Sequence, residues 1–265
     1  MSPMSNQTAE YKSKIDLEIF NCIISNEIVK YPKKWYKTLV EYLDELIKFK
    51  GCWEKIWTSN KFRFGSKASD LAIKYTLPVI KKTKADVLWD LGAGTGRDSI
   101  FFTKFCREVA CVEISKAATD TIKEQASEKN IKSIQIINDD VWSVLKKQNS
   151  VRKGFVDVVH AHSFLHYTKP LMTDIIFSEI YKLLRSGGYI VFAVKGKGDH
   201  LFGKGKMIAK DIWIYEDGQR RKFYNETDIK NLLKKAGFKI ELLKTEKGFF
   251  DNKISEFVVC VAKKP

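Results

Sequence analysis

The stretch Val87-Leu88-Trp89-Asp90-Leu91-Gly92-Ala93-Gly94-Thr95-Gly96-Arg97-Asp98-Ser99 decides the fold: an apolar strand runs into glycines that open a helix. Glycine there lets backbone approach a ligand that a Cβ would exclude, and the first N–H groups of the new helix face that ligand. Tight strand-to-helix turns also use glycine for purely steric reasons, so the surroundings must carry the reading. A dinucleotide fingerprint, GxGxxG, needs its third glycine at position 97, where Arg97 stands; the spacing here is GxGxG. Asp90, two residues before Gly92, places a carboxylate at the strand end, which repels a pyrophosphate and attracts a cationic amine. The ligand is therefore expected to carry positive charge.

Outward from this loop, apolar runs alternate with helical stretches. Strands are expected at 87–91, 109–113, 134–137, 155–161 and 189–194, with helices from 97, 116 and 171 between them. That alternation predicts an α/β fold, a Rossmann-like, mostly parallel sheet with helices on both faces and right-handed crossovers. A helix over 227–236 and strands near 238–243 and 256–262 complete it. Glu113 ends the second strand, 113 − 92 = 21 residues after the first glycine, where an acid can hold both hydroxyls of a ribose beside Ile114. Asn138-Asp139-Asp140-Val141-Trp142 ends the third strand with two acids and an apolar pair, suited to an adenine amine and its flat ring. Amine, ribose and adenine together describe S-adenosylmethionine.

These segments resemble the class I S-adenosylmethionine-dependent methyltransferases. DLGAGTGRDS (90–99) looks like their first motif, Val112-Glu113-Ile114-Ser115 their second and Asn138-Asp139-Asp140-Val141 their third. Residues 155–167, FVDVVHAHSFLHY, resemble the fourth strand and its loop, and Leu183-Leu184-Arg185-Ser186-Gly187-Gly188-Tyr189 the turn before the fifth. The resemblance implies seven strands, the last antiparallel and inserted beside the fifth. Within the family, the GRDS ending and the Gly-rich C-terminal part look like the tellurite-resistance type, and Trp53-Glu54-Lys55-Ile56-Trp57 with Phe64 resembles the aromatic cap of thiopurine methyltransferase. His162-Ser163-Phe164 departs from the thiopurine pattern. By that resemblance Trp53, Trp57 and Phe64 help to enclose the cofactor; core packing is the other reading of such rings. Trp53, Trp57, Phe62 and Phe64 follow no single helix or strand face, which suggests a helical turn ending in extended chain.

Methyl transfer from a sulfonium is an in-line displacement that needs alignment and a dry site, and a base only where the acceptor carries a proton to be removed. His162 and His166 are the candidate bases, Tyr167 an orienting hydroxyl, and His162 also a candidate cofactor contact; His160, on a buried-looking strand, reads as a satisfied core imidazole. No ligand spacing suggests a metal. Residues 195–222, with five glycines around Trp213 and Tyr215, read as a lid or as a surface excursion.

The 265 residues, 44% apolar, suffice for one sizeable core. Helices are expected over 15–29 and from 33 onward, and a third over 66–80. This gives accessory helices (1–50), an aromatic cap segment with a helix (51–85) and a cofactor-binding domain (86–265). Five cysteines without a CxxC pair suit reduced thiols, and no run of about 20 apolar residues or signal-peptide pattern occurs, so a cytoplasmic protein without a membrane partner is expected. Forty-seven basic against 32 acidic residues give +15, which favours weak, non-specific binding to nucleic acid; short runs such as Arg220-Arg221-Lys222 read as solvated faces. The expected function is methylation of a small-molecule acceptor; the competing readings are an RNA or protein methyltransferase, and a nucleic-acid-binding protein that keeps the fold without catalysis. The oligomeric state is open. If Glu113 holds the ribose, Glu113→Ala weakens S-adenosylhomocysteine binding by about 1.5–3 kcal/mol in calorimetry, the range for hydrogen bonds to a charged group.

Overall fold

All five residues of Val87–Leu91 are buried, as a parallel strand covered on both faces requires, and they form β1. The computed structural model describes residues 48–168, 170–250 and 253–265; the helices expected over 15–29 and from 33 onward lie outside these, apart from the helical residues 48–50. The chain divides into two compact units, Met1–Gly51 and Cys52–Pro265, so the expected cap segment belongs to the same unit as the sheet.

In that second unit, β2 (Glu108–Glu113), β3 (Ile134–Asn138), β4 (Val156–His162) and β5 (Leu184–Lys195) are parallel to β1. Three short strands, β6 (Lys206–Ala209), β7 (Ile212–Ile214) and β8 (Arg220–Lys222), form a separate antiparallel sheet. The long final hairpin, β9 (Lys239–Phe250) and β10 (Lys253–Lys263), completes the main sheet in the order β3-β2-β1-β4-β5-β10-β9, with β10 antiparallel to both neighbours. The antiparallel strand thus sits beside the fifth, as the resemblance implies. Order reverses between β1 and β4, which puts the ligand crevice of such a sheet at the carboxyl ends of those strands.

Helices cover both faces. The described part of α1 spans 48–59. The helix expected over 66–80 occupies 70–83 instead: a π-helical turn, Ala72–Thr76, runs into α2 (Leu77–Thr83), which Lys84 ends in a left-handed conformation. Next come α3 (Arg97–Phe102), α4 (Lys116–Glu128), α5 (Val141–Val151), α6 (Pro170–Leu183) and α7 (Glu226–Ala236). Alternate β1 residues feed opposite cores. Trp89 and Leu91 join Leu145, Phe177 and Phe192 on one face, and Leu88 joins Ile80, Phe102 and Val191 on the other. Among the described residues no helix is long and apolar enough to cross a membrane. Cys106 and Cys260 are free, and burial pushes both thiols up to about 12, so they pack as apolar side chains.

A buried polar knot ties α3 to β4 and to the segment before α2. Asp98 accepts from Ser69 N–H (2.6 Å), Ser69 Oγ (2.7 Å) and His160 Nε2 (3.2 Å), while the Thr76 hydroxyl lies 2.9 Å from His160 Nδ1. His160 is therefore the satisfied core imidazole expected. Burial works against the Asp98 charge, but the hydrogen bond from His160 and the proximity of His160, His162 and Arg97 outweigh it and hold the carboxyl well below its ordinary range. Asp98→Ala removes one partner of a buried, fully bonded group, and costs about 3–5 kcal/mol in chemical denaturation.

Candidate active site

The glycine loop is folded against the next strand. Gly92 N–H (2.9 Å) and Ala93 N–H (3.2 Å) donate to Val112 O, and Gly94 N–H donates to Glu113 Oε2 (2.9 Å). Gly92 and Gly94 hold φ of +73° and +56°, and a Cβ on Gly92 would lie 2.6 Å from Phe164 Cβ, one on Gly94 3.0 Å from Trp57 Cζ2. Both positions thus require glycine on conformational and steric grounds, and Trp57 and Phe164 are the rings that overlie the loop.

Glu113 is buried at the end of β2, and its other oxygen accepts from Ser115 N–H at 2.9 Å. Burial pushes its carboxyl up, and the backbone N–H bonds oppose that. Ile114 follows on the half-buried turn. Of the two acids after β3, Asp140 is spent on structure: it caps α5, its oxygens accepting from Trp142 N–H and Ser143 N–H, both at 3.0 Å, while Val141 enters the core. Asp139 is half-buried and uses one oxygen for Asp140 N–H (2.8 Å), so it is the better placed of the pair to meet an amine.

The aromatic segment folds as a helical turn followed by non-helical chain. Trp53 and Trp57, one turn apart on α1, stack at 5.9 Å; the Phe64 ring stands edge-on to Trp57 at 5.3 Å and Trp53 edge-on to Tyr167 at 5.2 Å. Phe62 departs from the expectation: it is 49% exposed, because the tight turn at 61–64 points it outward. Glu54, which no local pattern singles out, fastens the cap. Its carboxylate accepts from Ser115 Oγ (2.8 Å), Lys116 N–H (2.8 Å) and Ala117 N–H (3.0 Å), the unsatisfied donors of the first turn of α4.

The connection after β5, expected as a lid or as a surface excursion, contains the β6-β7-β8 sheet. Arg221 is no solvated cation: its side chain is 12% exposed, bonded to Asp217 (2.9 Å) and Gln219 (2.7 Å), with its guanidinium over the rings of Tyr215 and Tyr167. Cys52 Sγ lies 3.5 Å from Asp217 O, so lid and cap meet.

His162 does not stand as a ready base. Arg97 Nη2 is 3.1 Å from its Nδ1, and since arginine only donates, Nδ1 accepts and the ring proton sits on Nε2. Enclosure pulls its pKa down to about 3, Asp98 opposing and Arg97 adding to the effect. His162 thus offers a hydrogen-bond donor. Arg97 also bonds Phe64 O, linking the cap to β4. Ser163, at φ +58°, turns the chain so that Phe164 reaches Gly92. His166 lies in the 3₁₀ turn Leu165–Tyr167; it is buried and also held well below its ordinary pKa by burial and by the nearby Lys195 and Arg221 charges. Tyr167 keeps its hydroxyl proton, burial raising its pKa against the pull of Arg221. No group of three potential metal ligands occurs among the described residues.

The methyltransferase-domain family matches residues 62–243. The chain belongs to that family. Methyltransferases of this fold have been determined with bound S-adenosylhomocysteine. At 22% identity over 166 residues it is similar to a tRNA N(3)-methylcytidine methyltransferase of Drosophila melanogaster, covering 59% of this chain and 50% of that protein, so the chain spans about half the length of the curated relative it matches. Among solved structures it resembles the 1,6-didemethyltoxoflavin N1-methyltransferase of Burkholderia thailandensis, determined with that compound and S-adenosylhomocysteine (TM-score 0.59, 16% identity, 88% of this chain and 90% of that one). It also resembles TehB of Haemophilus influenzae (TM-score 0.55, 14% identity, 71% and 61%).

The residues present fit the methyl donor: a cradle without Cβ atoms at Gly92 and Gly94, a buried acid at the end of β2, and Asp90 at the end of β1. Asp90 is 2% exposed and accepts from Ser99 Oγ at 2.6 Å. Burial pushes its carboxyl up to about 6, His160 lowering and Asp98 raising it. A buried carboxylate in that state gains from a cationic ligand. Because its folded pKa exceeds the unfolded value of 3.8, the protonated form favours folding, and this stability is lost as pH rises from about 4 to 6. Asp90→Asn, which cannot ionise, should therefore open a Tm advantage over the parent across that interval and keep it at pH 7, while weakening S-adenosylhomocysteine binding.

Proposed function

We propose that this methyltransferase acts on a small-molecule acceptor enclosed between the cap, the Leu165–Tyr167 turn and the lid sheet. The observation that carries the reading is the convergence of these elements on Tyr167. Its ring meets Trp53 at 5.2 Å and His166 at 4.3 Å, and the Arg221 guanidinium lies 5.5 Å from it. Such a roof suits a compact acceptor better than a folded macromolecule. It also excludes water from the carboxyl ends of β1 and β4.

Glu113 and Asp139 would hold the ribose and adenine of the methyl donor, Ile114 and the rings of Trp53, Trp57 and Phe64 would enclose it, and Asp90 with Gly92–Gly96 would receive its methionine end. When bound, the donor supplies an electrophilic methyl group on a sulfonium that leaves as a neutral thioether. The chain's own part is alignment and dryness. His162 would orient through its Nε2–H, and His166 is the imidazole with a nitrogen left to accept an acceptor proton. A thiolate or another soft anion needs no such base. The neighbour determined with 1,6-didemethyltoxoflavin supports a small, compact acceptor.

The tRNA-methyltransferase relative and the +15 charge favour RNA as the second reading. Incubation with labelled methyl donor and separate thiol, chalcogen-oxyanion, amine and RNA acceptors distinguishes them. The label is expected in a small molecule. RNA binding is expected to be sequence-blind and to fall steeply with salt. Label entering RNA, with binding that persists at about 200 mM salt, overturns the small-molecule reading.

A further inference from the structure

On the inner side of the roof the chain buries more hydrogen-bonding groups than it satisfies. Both ring nitrogens of His166, Nε1 of Trp213 and Nε2 of Gln219 are buried and meet no hydrogen-bond partner among the described residues. Buried polar groups are seldom left so, because each forfeits its water without recovering a bond. His166 and Gln219 are 1% and 2% exposed, so bulk water does not reach them.

These groups share one place. Trp213 and Arg221 are register partners on β7 and β8, so their side chains leave the small sheet on the same face. Gln219, two residues before Arg221, falls on that face as well, and its Oε1 accepts from Arg221 Nη2 at 2.7 Å. The guanidinium of Arg221 reaches the Tyr167 ring, which lies tilted beside the His166 ring at 4.3 Å. Lys195, at the end of β5, adds its charge to the surroundings of His166.

The chemistry of the set is one-sided. Trp213 Nε1 and Gln219 Nε2 can only donate, and a neutral imidazole adds one donor and one acceptor. Arg221 and Lys195 already have Asp217 and Asp199 as partners, at 2.9 Å and 2.7 Å, so the ion pairs balance locally. The unpartnered groups are thus short of lone pairs, offering three N–H donors against the single imidazole nitrogen that accepts. We propose that the lid face of Trp213 and Gln219, with His166, is the recognition surface for the acceptor, and that it takes a compact organic anion whose carboxylate-type oxygens accept these N–H bonds. The inference rests on the small-molecule methyltransferase reading and narrows its substrate class. The overall charge of +15 favours the approach of such an anion.

The test is calorimetry on the full chain loaded with S-adenosylhomocysteine, titrated with benzoate, its neutral isostere benzamide, the cation benzylamine, and inorganic sulfate. Benzoate should bind at least about tenfold more tightly than benzamide or benzylamine, a difference of about 1.4 kcal/mol. Gln219→Leu and Trp213→Phe each remove a donor without changing charge, and each should cut the benzoate preference severalfold while S-adenosylhomocysteine affinity stays at the parent value. Should either variant misfold, the other and the parent's ranking of the four probes still decide. Tighter binding of benzamide or benzylamine, a preference that survives both substitutions, or binding of none of the four overturns the proposal and leaves the methyltransferase assignment standing. Sulfate binding without benzoate binding overturns the organic-anion class. Failure of S-adenosylhomocysteine itself to bind would strike the cofactor reading instead.

Discussion

Four carboxylates, Asp90, Asp98, Glu113 and Asp140, are buried along the edge of the sheet where β1, β2 and β3 end. Taking a carboxylate out of water is costly unless N–H or O–H groups surround it, and each of these recruits its donors from a different element. Asp90 takes Ser99 of α3, Asp98 takes Ser69 and His160, Glu113 takes Gly94 and Ser115, and Asp140 takes the first turn of α5. Satisfying these charges therefore fixes loop, helix starts and strand ends relative to one another. The shape of the sheet edge there is a by-product of that satisfaction. The four are not equivalent. Asp98, with three hydrogen-bond donors and Arg97 nearby, keeps its proton off, while Asp90, with one hydroxyl and a neighbouring Asp98, holds its proton to about 6.

What was legible in the sequence is what local pattern encodes. The run 87–91 became β1 residue for residue, since a strand covered on both faces writes itself as continuous apolar residues. Glu113 stood out because the spacing from glycine loop to second strand end is set by one helix and one strand. The seven strands and the antiparallel β10 inserted beside β5 followed from the resemblance, and the structure has them. Glu54 was invisible as a helix cap, because its partners lie more than sixty residues away at Ser115, Lys116 and Ala117. Arg221 was misread for a related reason: in Arg220-Arg221-Lys222 nothing local separates a solvated guanidinium from one sealed over Tyr167 and Tyr215. The lid strands were missed because β6 is exposed at all four residues and β7 and β8 are three residues long, too short for alternation to show. The two acids at 139 and 140 read as equivalent, and only the start of α5 separates the capping acid from its neighbour.

The site is assembled from both ends of the unit. Cap residues before β1 and lid residues after β5 meet over a platform built from the strands between them, and Arg97, in the glycine segment itself, bonds both Phe64 O of the cap and His162 at the end of β4. A change at either end is therefore felt at the centre. The left-handed turn at Ser163 belongs to this arrangement: it spends backbone strain to bring Phe164 onto Gly92, at a position where a β-branched residue would fit poorly.

The bond from Ser115 to Glu54 closes a loop of 61 residues, and its donors are in place only once β2 has ended and α4 has begun. Loop closure over that distance costs entropy that the local strand and helix contacts around Glu113 do not incur. The cap thus docks onto a helix terminus that the β2–α4 turn has to form first.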